Sequence, residues 1–367
     1  MSRIALIGEY AGPNDEGMKN VMHSLADELV RNNDLIQITL RNEKFTFFRD
    51  QRLAFLSPRV ARDIKEFQPS IIHYIPYSGI TLASFIRAKV LANYAQNAKT
   101  VLSCLQYWKG NSWSMRNVMR IFKPELVLVQ SKKSLQKMSA MGINTAFLPN
   151  GVDLEKFSPQ NRAVKTTLRK KYGIPDRFVI LHVGHLKERR NIRVLGSLAE
   201  KGNLVLVVAS GSTKADSGLI DFLQSKGVII KRNYFDNIQD IYNLSDCYIF
   251  PTQEASECIE IPLSVLEAMS CNLPVISSRF GGLPDIFEEG HGFYYFDDTK
   301  EINEKIKKIS GGEEVTNRQK VLHFSWKRLA QELNLIYMKI CEGDVESFKE
   351  RNQAFNLDPQ VLDNFKI

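Results

Sequence analysis

Short apolar runs bounded by turn residues alternate along most of the chain with helix-length stretches whose apolar positions recur every three to four residues. This is the pattern of parallel β-strands joined by helical crossovers. In the first half, strands are predicted over 3–8 (RIALIG), 35–40, 71–75, 100–105 and 126–130. The loop GEYAGPNDEG after the first strand leads into a predicted helix over 17–31, with Val21, Leu25, Leu29 and Val30 on one face. That loop lacks the GxGxxG spacing of a dinucleotide fingerprint. The passage LPNGVDLEKFSPQNRAVKTTLRKKYGIPD then breaks the alternation with Pro149, Gly151, Pro159, Gly173 and Pro175, which predicts a domain boundary. A second series of strands follows over 178–183 (FVILHV), 204–209 (LVLVVA), 228–230, 247–250 and 273–278. The expected fold class is therefore α/β, with two doubly wound domains at 1–157 and 158–325, an amphipathic helix at 326–341 and a polar, aperiodic tail at 342–367.

The stretch 251–290 (PTQEASECIEIPLSVLEAMSCNLPVISSRFGGLPDIFEEG) carries the densest candidate chemistry. It orders an acidic loop, a helix over 263–270 with Pro262 read as its first position, a buried strand and a Gly-Gly turn. In a parallel α/β sheet, ligands lie beyond the carboxyl ends of strands and beside helix N-termini, which favour phosphate. A carboxylate at Glu267 and the turn at Gly281 and Gly282 meeting there suggest a phosphorylated, hydroxyl-rich ligand.

Composition adds bounds. A chain of 367 residues suits two domains with sizeable cores. No run approaches the eighteen or so apolar residues of a membrane span, and the N-terminus enters a strand without a signal-peptide pattern, so a cytoplasmic location is expected. Cys104, Cys247, Cys258, Cys271 and Cys341 form no CxxC pair and are read as packing residues, with neither a disulfide framework nor a zinc site indicated. The net charge of +8 lies wholly in residues 1–157, which hold 21 Lys/Arg against 13 Asp/Glu, while the remainder balances at 28 against 28. This bias suits either an anionic partner of the first half or plain solubility. Within it, Trp113, Met115, Val118, Met119, Ile121 and Phe122 interleave with Arg116, Arg120 and Lys123, so residues 113–123 can be read as a segment resting on an anionic membrane surface or as an ordinary packed helix. No basic and aromatic recognition motif for nucleic acid occurs.

Several separated motifs resemble the family-4 retaining glycosyltransferases, the glycosyl transferases group 1 of GT-B fold. LPNGVDLEKFSP resembles their interdomain signature, VGHLKERRNI their phosphate-binding segment and DIYNLSDCYIFPT the strand before the donor site. IPLSVLEAMSCNLPVISSRFGGLPD resembles the donor loop, and FSWKRLAQELNLIY the C-terminal helix that crosses back to the first domain. The match covers about residues 145–340; the first half resembles the family only in its β-loop-α opening. It implies two Rossmann-like domains facing an interdomain cleft. It also implies transfer of a sugar from a nucleotide-sugar donor, UDP- or GDP-linked, with retention and without a metal or other cofactor. The acceptor would be a polysaccharide, a glycolipid or a lipid-linked intermediate, with the protein cytoplasmic or peripheral on the inner face of the cell membrane.

Residue by residue, Glu267 matches the family glutamate that accepts hydrogen bonds from the donor ribose, where a carboxylate suits a vicinal diol. The family's preceding glutamate lies eight positions earlier, which here is Ile259; Glu260 and Glu257 flank it, and Glu260 is the favoured substitute. Arg190 matches a basic phosphate-contacting position, His185 replaces a usual Arg, and Arg189 is a candidate for the missing cation. Leu263 and Ser264 match positions whose backbone amides meet the diphosphate, Gly281 and Gly282 permit close approach to the ligand, and Gly17 matches the loop of the first domain that faces the reaction centre. Lys231 to Tyr234 lie where the base should sit. His73, at a predicted strand end, is an acceptor-side candidate for a proton-accepting role or else a structural histidine. Two other readings are a noncatalytic nucleotide-sugar-binding scaffold, motivated by Ile259 and His185, and a sugar-nucleotide epimerase of the same fold.

Overall fold

The computed structural model describes residues 2–9, 17–40, 51–77, 79–107, 119–211, 215–232, 235–344, 347–348 and 352. Most of segment 113–123, the end of Lys231 to Tyr234 and nearly all of the tail lie outside the described residues. The chain forms two compact units, one of residues 1–150 and 326–367, the other of 151–325.

The first unit contains strands β1 (Arg3–Gly8), β2 (Asp34–Thr39), β3 (Ile71–Ile75), β4 (Lys99–Cys104), β5 (Leu126–Val129) and β6 (Thr145–Phe147). All pair in parallel, in the order β2-β1-β3-β4-β5-β6. Its helices are α1 (Gly17–Leu29), α2 (Pro58–Phe67), α3 (Leu82–Asn93) and α4 (Lys132–Ser139). The three residues of β6 carry too little periodicity to predict. A long helix at Trp326–Glu342 packs against α1, burying Trp326, Leu329, Leu333, Ile336, Tyr337 and Ile340 at helical spacing.

His73 is not at a strand end. It sits mid-β3, fully buried, with Nδ1 2.6 Å from the Tyr337 hydroxyl and Nε2 2.7 Å from Ser103 Oγ. Both ring nitrogens are thus committed to holding the C-terminal helix and β4, and the acceptor-side candidacy gives way to the structural one. Burial pulls its pKa down to about 3. The unfolded chain takes up this proton near 6.5 while the native ring declines it until about 3, so stability should fall as pH drops across that window, by at most about 1.4 kcal/mol per pH unit. His73→Gln should flatten the fall of melting temperature between about pH 6.5 and pH 4.5, a range set by that linkage; parallel slopes for the two proteins would count against the assignment.

The second unit contains β7 (Val179–Val183), β8 (Leu204–Val208), β9 (Ile229–Lys231), β10 (Cys247–Phe250), β11 (Val275–Ser278) and β12 (Phe293–Phe296), again all parallel, in the order β12-β11-β10-β7-β8-β9. Its helices are α5 (Arg162–Tyr172), α6 (Val194–Glu200), α7 (Ser217–Ser225), α8 (Ile238–Leu244), α9 (Leu263–Ser270), α10 (Leu283–Ile286), α11 (Ile302–Ser310) and α12 (Asn317–Val321), and the helix at Trp326–Glu342 is α13. Pro262 is the residue before α9, extended at φ −66° and ψ 128°, rather than its first turn. Strand β12 was not predicted because FYYF, though wholly buried, is four aromatic residues amid polar loop sequence.

Residues 151–157, placed with the first domain on turn density, belong to the second unit. Arg318 binds the carbonyls of Leu154 (3.0 Å), Phe157 (2.9 Å) and Ser270 (2.6 Å), and the Phe157 ring meets Tyr242 edge-on at 5.7 Å. The passage is thus pinned to the C-terminal end of α9. Cys104, Cys247 and Cys271 are buried as expected of packing residues, Cys258 is half-buried, and Cys341 is exposed on the outer face of α13. No helix among the described residues is long and apolar enough to cross a membrane. Of the described part of 113–123, Met119 is buried and Ile121 is 72% exposed.

Candidate functional site

In a doubly wound sheet, loops from adjacent strands diverge where winding reverses, and a crevice opens at the carboxyl ends of those two strands. In the second unit this point lies between β7 and β10. His182, next to last in β7, places Nδ1 3.0 Å from the Ile249 carbonyl of β10. A carbonyl only accepts, so Nδ1 carries the proton and Nε2 is a bare acceptor, buried without a hydrogen-bond partner among the described residues. Burial, chiefly, and the nearby Arg190 cation pull the His182 pKa down to about 4, so the ring is neutral at neutral pH.

Immediately after β7, a short 3-10 turn at Glu188–Arg190 turns Arg190 inward and Arg189 outward. Arg190 is 8% exposed, and its Nη2 donates to the Glu257 carbonyl at 2.5 Å. Its Nε finds no acceptor, and among the described residues no carboxylate lies within ion-pair distance of the guanidinium. Arg189 is the opposite case: exposed, 3.2 Å from the Glu257 carboxylate and 3.7 Å from that of Glu254. The cation expected to replace the one lost at His185 is therefore spent on the acidic loop, and Glu257 is equally committed. Gly184 lies between His182 and Arg190; a Cβ there would come 2.8 Å from His182 Nε2 and 3.3 Å from Arg190 Nη1.

Glu260 is 2% exposed and is fixed through its backbone by the Gly-Gly turn: its carbonyl accepts from the Gly282 amide at 2.9 Å. Gly281 has φ +55°, and a Cβ on it would lie 2.7 Å from Glu260 Cα. The close approach that requires this glycine is to Glu260 itself rather than to a ligand. Leu263 and Ser264 open α9, where first-turn amides have no intrahelical acceptor. Ser264 Oγ accepts from the Tyr248 hydroxyl at 2.7 Å. Glu267, one turn further along the same face, accepts from the Tyr242 hydroxyl on Oε2 at 2.6 Å, and its Oε1 has no partner among the described residues. Burial raises the Glu267 pKa above the ordinary glutamate value, countered by that hydrogen bond and by the Lys156 charge.

Arg190, Glu260, Leu263, Ser264, Glu267, Gly281 and Gly282 thus gather on the carboxyl edge of one sheet, linked through Glu257 and the turn. Gly17 belongs to the first unit, where it is the first residue of α1 rather than a loop residue. The winding reversal of that unit, between β1 and β3, is filled by Glu9, which accepts from the Tyr74 hydroxyl and pairs with Arg87 at 2.5 Å. The motif reading did not single out His182, Tyr242 or Tyr248, because each sits inside an apolar strand or helix pattern. Their signal is a hydrogen-bonding side chain embedded in a core run.

Residues 164–321 match the family model described as Glycosyl transferases group 1. Among curated proteins, the chain is 28% identical over 250 residues to a sulfoquinovosyl transferase of Arabidopsis thaliana, covering 64% of this chain and 47% of that protein. It is 24% identical over 247 residues to a D-inositol 3-phosphate glycosyltransferase of Corynebacterium jeikeium, covering 59% and 58% respectively. The chain spans about half the length of the curated relatives it matches. Among solved structures, the sucrose-phosphate synthase of Thermosynechococcus elongatus aligns with TM-score 0.72 at 17% identity, over 94% of this chain and all of that one. Anabaena Alr3699/HepE in complex with UDP aligns with TM-score 0.70 at 15% identity, over 92% of this chain and all of that one. With two parallel six-stranded α/β units, the fold is GT-B, as the sequence motifs implied. The matched segment fills nearly the whole second unit, so that unit is similar to the glycosyl transferases group 1.

Proposed function

We propose that the chain moves a sugar, with retention of configuration, from a UDP- or GDP-linked donor to a glycan, glycolipid or lipid-linked acceptor. The observation that carries this reading is Arg190, a buried guanidinium without a carboxylate at the winding reversal of the second sheet. Buried charges are ordinarily paired, and a buried cation without a carboxylate at the carboxyl end of the sheet favours a phosphate. The Oε1 of Glu267, one turn along α9 and without a partner among the described residues, suits a ribose hydroxyl. As the bond from the sugar to the diphosphate breaks, negative charge grows on the departing phosphate, and Arg190 with the Leu263 and Ser264 amides would stabilise it without reorganising. Glu260, whose backbone the Gly-Gly turn fixes, is the carboxylate proposed to meet the sugar. Names among the relatives point to both donor classes: one is a GDP-mannose-dependent mannosyltransferase, while structures of Alr3699/HepE contain UDP or UDP-glucose.

The test is incubation with a panel of UDP- and GDP-sugars, followed by mass spectrometry. Donor hydrolysis or transfer is expected, with donor KM raised by at least about tenfold in Glu267→Gln, the cost of a charged hydrogen-bond acceptor. In the wild type, donor binding should weaken as pH falls through a range above that of an ordinary glutamate, because Glu267 must be ionised to accept and its pKa is raised; Glu267→Gln should lack this limb. Nucleotide binding without turnover across a broad donor and acceptor panel would instead identify a noncatalytic scaffold.

A further inference from the structure

Beneath α9 lie two tyrosines, Tyr242 from α8 and Tyr248 from β10, both 0% exposed, with ring centroids 6.0 Å apart. Each sends its hydroxyl upward to a different residue of one helix face: Tyr242 to Glu267 and Tyr248 to Ser264. The proposed function places the Glu267 carboxylate against ribose and the Ser264 amide, next to the serine hydroxyl, against diphosphate. We propose that this tyrosine pair is a positioning layer for the donor, Tyr242 setting which oxygen of Glu267 faces the ribose and Tyr248 setting which way the Ser264 hydroxyl donates. The assignment rests on the nucleotide-sugar reading.

A half-buried glutamate near a helix C-terminus can rotate about its terminal torsion, and rotation would blur its two acceptors. The Tyr242 O–H, held by a ring packed edge-on against Phe157 and tilted against Tyr248, ties down Oε2 and leaves Oε1 without a partner among the described residues. The same bond stabilises the ionised carboxylate against its crowded surroundings. A serine hydroxyl both donates and accepts. The Tyr248 hydroxyl lies 2.7 Å from Ser264 Oγ and 3.4 Å from the Val183 carbonyl; with its proton on the nearer serine, the proton of Ser264 is left for another acceptor, the role proposed for a diphosphate oxygen. Burial raises both tyrosine pKa values, so the two hydroxyls remain donors at any working pH. A core that needed only volume at these positions would be served by phenylalanine.

The experiment measures dissociation constants of UDP, GDP, their 2′- and 3′-deoxy analogues, and UMP and GMP, for the wild type, Tyr242→Phe, Tyr248→Phe, Glu267→Gln and Tyr242→Phe with Glu267→Gln, with melting curves for each. In the wild type, loss of the contacting ribose hydroxyl should weaken binding at least about tenfold. Tyr242→Phe should shrink that ratio to about threefold or less, shift the acid limb of nucleotide binding to higher pH, and add nothing once Glu267 is glutamine. Tyr248→Phe should leave the ribose ratio alone and reduce the preference for diphosphate over monophosphate by about three- to tenfold. A Tyr242→Phe protein that melts earlier yet keeps the wild-type ribose ratio would overturn the positioning role while leaving the donor reading intact. Tyr248→Phe tests the other half should Tyr242→Phe not fold. A wild type that binds neither nucleotide would overturn the donor reading, and this assignment with it.

Discussion

Arg190→Ala should lower kcat/KM for the donor by about 10²- to 10³-fold, the usual loss when one preorganised donor to a developing anion is removed. Two effects combine. The cation that would face the diphosphate disappears, and the Glu257 carbonyl loses the Nη2 donor 2.5 Å away that ties the acidic loop to the turn after β7. Arg190→Lys separates them: it keeps a charge at the site but cannot reach both a carbonyl and a phosphate as a fork does, so its activity should fall between wild type and alanine. Arg189→Ala serves as the contrast, because that exposed side chain already pairs with Glu257 and Glu254 and exposed pairs contribute little, so it should change kcat/KM by no more than about threefold. Steady-state kinetics on the donor found by the panel decide the matter. Near-wild-type activity in Arg190→Ala, or equal damage from Arg189→Ala, would remove Arg190 from the site.

How much of this was legible beforehand follows from which physical signals a linear sequence carries. Strands came through because burial on both faces leaves continuous apolar runs: β10 and the helix α9 fall where the pattern placed them, and the other strands given bounds lie within a residue or two. Strand β6 was lost because three residues carry no period, and β12 because its four aromatic residues stand amid polar loop sequence. Within the site, Arg190, Glu267 and the glycine turn were recoverable as motif positions. What the motifs did not convey is how charge is shared. VGHLKERRNI shows a run of cations, and only folding reveals that one of two adjacent arginines is buried and without a carboxylate while the other closes an ion pair. The roles of Tyr242 and Tyr248 were hidden for a related reason: a buried tyrosine in an apolar run looks like core until the target of its hydroxyl is known. His73 erred in the opposite direction, since a histidine in a strand invites a chemical reading, yet here it closes a packing network with Tyr337 and Ser103.

Gly281→Ala should be the most damaging single methyl in the second unit. A left-handed φ of +55° alone costs an L-residue about 1–2 kcal/mol. A Cβ here also meets backbone, since Glu260 Cα would lie 2.7 Å and its carbonyl carbon 2.8 Å away, and backbone cannot rotate aside as a side chain can. Relieving that overlap means pushing the turn off the 260 loop, breaking the Gly282 amide bond to the Glu260 carbonyl and moving the carboxylate proposed to meet the sugar. Overpacking adds about 1–3 kcal/mol to the strain. Gly173 provides the control, because it has φ +66° with nothing within 4 Å of a built Cβ. Gly173→Ala should therefore show the strain without the overlap, melting slightly early at unchanged activity. Gly281→Ala should melt earlier still and, at temperatures where it remains folded, lose donor turnover by at least about tenfold, the kinetic cost of displaced site groups. Melting curves by circular dichroism, paired with turnover at a temperature below both transitions, separate the two substitutions. If they proved alike in both measurements, the Gly281 turn would be an ordinary left-handed corner, and Glu260 would owe its position to something other than the chain pressed against it.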